Sequence, residues 1–137
     1  MNKNLSLIEQ AILDEVIKFN KKKYSFIKNH IPYLKVKNRD YTGVGIYIYF
    51  EYDKESVLLP LDNCEDTVLS SDKSLEIDVL KYELNYELNI TKGKLDVLEL
   101  VSNDESWNGN YNSFKFKYHE WTTPRQSHRG IKRKKYF

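Results

Sequence analysis

The side chains in this 137-residue chain that could do chemistry are three histidines, one cysteine and twenty carboxylates. Catalysis needs several such groups to converge. His30, His119 and His128 stand far apart, with no H-x-H or H-x-x-x-H spacing. Cys64 is the only cysteine, so the sequence offers neither a zinc-ligand set nor an intrachain disulfide. Cys64 stands beside Glu65 and Asp66, and acidic neighbours disfavour a thiolate. No G-x-S-x-G nucleophile elbow occurs. Gly43-Val44-Gly45 resembles a phosphate loop only superficially, because no G-x-G-x-x-G and no helix follows; it reads as a turn and bulge entering a strand. The expectation is a protein without catalysis, metal or cofactor.

Charge is the stronger signal. The net charge of +2 conceals three blocks. Residues 1–50 carry nine Lys/Arg against four Asp/Glu, residues 51–105 five against fifteen, and residues 106–137 eight against one. Such asymmetry points to a charged partner or to docking of the basic tail on the acidic body. Asp62, Glu65, Asp66 and Asp72 share one polar loop, and Asp104 and Glu105 precede Trp107. These acids are candidates for meeting a basic protein surface, where complementary charge speeds encounter and selects the partner. Ordinary solvated surface charge is the alternative. Trp107 reads either as an aromatic anchor of such an interface or as a lid over the core. Arg39 and Glu99 fit a structural ion pair between strands. A rival reading uses the tail, where Arg125, Arg129, Lys132, Arg133, Lys134 and Lys135 could grip nucleic acid electrostatically. Residues 1–121, with 16 basic against 20 acidic groups, argue against that reading.

These groups must be positioned by a fold that the periodicities outline. A hydrophobic content of 40% with 31% charge suits a folded chain, and eleven Tyr with six Phe favour strands. One domain over residues 1–121 and a basic tail over residues 122–137 are expected. Ser6 and Glu9 match a capping box, and Leu5, Ile8, Ile12, Val16 and Phe19 form an amphipathic stripe. Glu9, Asp14 and Glu15 interrupt that stretch, which is neither a signal peptide nor a membrane span; a cytoplasmic protein is expected. Residues 24–30 allow a second short helix that Pro32 should end, and a short strand should follow over residues 32–37.

Residues 46–51 are apolar or aromatic at both parities, which predicts a central strand covered on both faces. Residues 57–61 suit an edge strand, residues 62–73 a surface loop and residues 75–80 a strand. Tyr82, Leu84, Tyr86, Leu88 and Ile90 alternate with polar residues, and Lys92-Gly93 then turns the chain. In the return strand Leu95 and Val97 share one parity and Leu98 and Leu100 the other. Either both faces are buried or a bulge at Val97-Leu98 restores phase, and the choice decides where Glu99 points. Phe114, Phe116 and Tyr118 close the pattern with a last strand. The fold class is α+β: one or two N-terminal helices on a twisted, mainly antiparallel sheet of about five to six strands.

Two segments carry a resemblance. Arg39, Asp40, Thr42, Gly43, Val44 and Gly45 match an R-E/D-x-T-G-x-G pattern, and Gly93, Leu95, Leu98, Glu99 and Trp107 match a G-x-L-x-x-L-E…W pattern. Together they resemble a family of small bacterial α+β proteins, with Asp40 in place of the usual Glu and Ile46-Tyr47 in place of an aromatic pair. The resemblance spans roughly residues 5–107 and leaves out the tail. It implies an immunity protein of a toxin–immunity system of the contact-dependent inhibition or polymorphic-toxin kind. On this reading the partner is a cognate protein toxin, for instance a nuclease, whose active site is occluded without catalysis.

Overall fold

Ser6 sets the start of the first element. Its hydroxyl accepts the N–H of Glu9, while the Glu9 carboxylate accepts the N–H of Ser6, so two otherwise unpaired donors of the first turn are satisfied. Helix α1 (Leu7–Phe19) then buries Ile8, Ile12, Leu13 and Val16. Asn20 ends it. Its side-chain amide donates to the Val16 carbonyl at 2.8 Å and to the Ser70 carbonyl at 2.7 Å, tying the helix end to the sheet. The computed structural model describes residues 3–52 and 65–119.

After α1 the chain forms a short helix α2 (Lys21–Tyr24) and two 3₁₀ turns, Ser25–Asn29 and Ile31–Tyr33. Pro32 does not end a helix here, as its position suggested; it sits at the start of the second 3₁₀ turn. A proline is tolerated there because its missing N–H has no helical partner to lose.

Seven strands follow: β1 (Leu34–Tyr41), β2 (Gly45–Tyr52), β3 (Thr67–Leu69), β4 (Lys73–Ile77), β5 (Asn85–Thr91), β6 (Lys94–Val101) and β7 (Phe114–Tyr118). Five make an antiparallel sheet in the order β1-β2-β6-β5-β3, and β4 pairs with β7. A bridge between Leu75 and Leu84 links the two sheets. The molecule is α+β, with its N-terminal helices against one face of the larger sheet.

The hairpin β5–β6 follows the expected alternation, with Leu84, Tyr86, Leu88 and Ile90 buried. Lys92 (φ 54°) and Gly93 (φ 75°) both take left-handed backbone, the pair of conformations that a two-residue turn matched to strand twist requires. The bulge exists but lies one residue earlier than expected. Ile90 faces Leu95 and Asn89 faces Val97, leaving Asp96 as the extra residue. That step puts Leu95, Leu98 and Leu100 on the core side and Glu99 on the other.

Other local expectations change. β1 runs on to Tyr41, beyond the end of the strand expected over residues 32–37. β3 lies inside the stretch read as a loop; three residues between polar neighbours are too short for alternation to show. β4 covers Lys73–Ile77, and Val79 and Tyr82 are exposed beyond it. β2 lies between β1 and β6, yet no described element covers its second face, where Tyr47 and Tyr49 stay half-buried. Tyrosine suits such a place because its ring is apolar and its hydroxyl accepts water. The expected edge strand over residues 57–61 and the tail over residues 122–137 lie outside the described residues.

Candidate functional site

The sheet face turned away from α1 is built by strand parity. Ile48 and Leu98 are fully buried against the helices, so their neighbours along the strands point outward. Cross-strand pairing lines up Glu87 on β5, Glu99 on β6, Tyr47 on β2 and Asp40 on β1 as successive direct neighbours. With strands about 4.8 Å apart, this transverse row is about 14 Å long. The next row runs Asn89, Val97, Tyr49, Asn38. The rings of Tyr47 and Tyr49 have centroids 6.3 Å apart and planes inclined at 38°.

Three carboxylates thus share one row with a tyrosine. The Glu99 carboxylate, accepting a hydrogen bond from the Tyr47 hydroxyl, holds that phenol above its usual range. Among the described residues no Lys or Arg forms an ion pair with Asp40, Glu87 or Glu99. Glu51, Glu76 and Glu83 are matched by lysines. Lys117 lies 3.1 Å from Glu83 and 3.5 Å from Glu76, Lys115 lies 3.5 Å from Glu76, and Lys3 lies 3.6 Å from Glu51.

Arg39 and Glu99 lie on opposite faces of the sheet. Arg39 pairs with Ile48 on the core side, whereas Glu99 pairs with Tyr47 on the outer side. The partner of Arg39 is Glu9 of α1. Nε donates to Oε2 and Nη2 to Oε1, both at 2.8 Å, a bidentate fork that fastens the helix to β1. Its guanidinium is held above its ordinary range by the hydrogen bonds to Glu9. Glu9 also accepts from Ser6, so its two oxygens are engaged. The pair forms one wall of a cavity of about 210 Å³ that also touches Tyr41, Trp107 and Tyr111.

The candidate acids that are described do not gather at one place. Asp62 lies outside the described residues. Glu65 is exposed. Asp66 accepts the Lys92 N–H at 2.8 Å and so braces the β5–β6 turn. Asp72 lies between β3 and β4, its carbonyl accepting the His119 N–H. Asp104 is exposed in left-handed backbone after β6 (φ 59°). Glu105 accepts the N–H groups of Lys81 (2.8 Å) and Tyr82 (2.6 Å), closing the loop before β5. Asp66 and Glu105 therefore stand at opposite ends of the hairpin, about 20 Å apart. Trp107, 4% exposed, is a core residue; its indole N–H donates to the Asn110 carbonyl at 2.8 Å. The tail residues Arg125, Arg129, Lys132, Arg133, Lys134 and Lys135 lie outside the described residues.

The two resemblance segments meet. The Trp107 N–H donates to the Gly43 carbonyl at 2.8 Å, and the Ser102 N–H and hydroxyl both donate to the Val44 carbonyl. Most of the shared residues therefore build the scaffold, while Asp40 and Glu99 carry charge outward. Sequence reasoning took Glu87 only as part of a polar strand face, Asp40 only as a residue of the resemblance segment, and Tyr47 and Tyr49 as part of a strand covered on both faces. Their parity in the alternating runs was the available signal.

An open groove of about 550 Å³ beside β4 and β7 is lined by Glu76, Lys81, Tyr82, Glu83, Lys115 and Lys117. Its Glu76 and Glu83 are already paired with lysines. Among the described residues no cluster of three or more His, Cys, Asp or Glu could hold a metal, and no helix is long and apolar enough to cross a membrane. No protein-family model, curated protein or solved structure matches this chain.

Proposed function

We propose that this chain is an immunity protein that binds a cognate bacterial toxin and occludes its active site, acting without catalysis. One observation carries the reading: a sheet face that no described element covers, with three carboxylates in a single row, unmatched by any described cation. Toxins that degrade nucleic acid grip phosphates with Lys and Arg, so an acidic, rigid face is complementary to their clefts. The two sequence segments that resemble bacterial immunity proteins support the same reading. The expected interface moves, however, from the acidic loops to the outer face.

Co-expression with the product of the gene immediately upstream tests this function. The expected result is a toxic product, rescue of growth by this chain, and a complex that co-purifies. A solitary gene with no co-purifying partner would overturn it.

A further inference from the structure

Glu87 and Glu99 sit directly opposite each other on adjacent central strands. Like charges at such a position destabilise a sheet. The chain neutralises Glu76 and Glu83 with Lys115 and Lys117, yet no described cation reaches this pair. Among the described residues nothing offsets that cost, and a cation brought to the face would.

The geometry around the pair favours one kind of cation. Residues directly opposite on neighbouring strands have Cβ atoms about 5 Å apart, a spacing from which two flexible glutamate side chains can converge on one guanidinium. Tyr47 follows Glu99 in the same row, and Tyr49 lies beside it with its ring centroid 6.3 Å away. A planar guanidinium can bond to carboxylates and stack on an aromatic ring at once, which a lysine ammonium does less well. The strands beneath are backed by fully buried Leu88, Leu98 and Ile48, so the seat is held before a partner arrives.

We propose that Glu87, Glu99 and Tyr47 form a seat for an arginine side chain of a basic protein partner, with Asp40 and Tyr49 at its rim. The seat makes the outer face the contact surface of the chain. This rests on the toxin-binding reading above and names the surface and the residue type through which binding occurs. The direct opposition of two glutamates that no described cation pairs with, beside a tyrosine pair, on a sheet face that no described element covers, is the juxtaposition that carries it.

A titration of the isotope-labelled full chain with a nona-arginine peptide, followed by amide NMR, tests the seat. Shifts are expected at Tyr47, Tyr49, Glu87 and Glu99. The E87Q/E99Q double variant should bind at least tenfold more weakly, nona-lysine at least threefold more weakly, and Asp14→Asn on the exposed side of α1 should bind as the parent does. Shifts confined to other residues, or equal binding by the double variant, would overturn the seat; equal binding of nona-lysine would overturn its preference for arginine. The same double variant separates this inference from the function. If the upstream gene product binds parent and variant alike, the immunity reading survives and the seat falls. If nona-arginine binds at the seat and no such product binds the chain, the seat survives and the immunity reading falls.

Discussion

Arg39 joins two elements through one buried carboxylate, and its removal would strand Glu9, whose side chain is 4% exposed. Arg39→Ala should therefore destabilise the fold by about 3 kcal/mol in urea melts. Glu87→Gln should act in the opposite direction. It removes a like-charge opposition and should stabilise the chain by about 0.5 kcal/mol in the same assay, while weakening partner binding. His30 provides a pH signature. It is 1% exposed, its Nδ1 lies 2.6 Å from the Tyr52 hydroxyl, and Nε2 has no hydrogen-bond partner among the described residues. The Tyr52 oxygen also accepts the Leu95 N–H at 2.9 Å. Burial, with a smaller contribution from Lys94, pushes His30 down to about 4, and burial pushes Tyr52 up to about 12. The unfolded chain therefore takes up a proton near pH 6.5 that the folded chain refuses until about pH 4. The stability from a neutral His30 is fully present above that upper pH and falls by about 3 kcal/mol as pH drops through the window. Urea melts at pH 7 and pH 4.5 should show this fall, and His30→Gln should lose that part of it.

The turn between β1 and β2 shows two glycines kept for different reasons. Gly43 has φ 94°, a backbone region that side chains disfavour, and open space around it. Gly45 has no such torsion, but a Cβ there would lie 2.1 Å from the Leu100 carbonyl oxygen on the neighbouring strand. Gly45→Ala must therefore push β2 away from β6 and should cost about 2–3 kcal/mol, measured as a lowered denaturation midpoint. The same substitution should perturb the outer face, because Tyr47 lies two residues along the strand. The hairpin β5–β6 was legible because its period of two is long and ends in Lys92-Gly93. The bulge was legible as a phase break between Leu95 and Leu98, but not to the residue. Residues 95–98 admit the extra residue at either place, and only the partner strand selects Asp96. β3 was illegible because three residues contain no period.

The whole molecule is asymmetric: one face of its larger sheet lies against helices, and the other, bearing Asp40, Glu87 and Glu99, has no described cover. An acidic face of this kind steers a basic partner over distances set by the Debye length. Raising salt from about 50 mM to 500 mM should therefore slow association with the proposed toxin partner far more than it speeds dissociation, as stopped-flow mixing would record. If the acidic loops at the two ends of the hairpin were the contact instead, neutralising Asp66 or Glu105 would matter more. Each is engaged in bracing backbone N–H groups, so Glu105→Gln should lower stability more than it slows association.

The sequence by itself determined the class and the frame. Alternation, the capping box and the turn residues specify α1, β2, β5, β6 and β7, because each depends on side chains only a few positions apart. Tertiary structure decided which charges belong together. Arg39 turns to Glu9 rather than Glu99, since β1 and β6 present these two residues on opposite faces. Trp107 goes inward because its backbone is held by Gly43. Glu87, Glu99, Tyr47 and Asp40, distant along the chain, become one row only through the order and register of four strands. Register is a property of pairing across the sheet, and no single strand contains it.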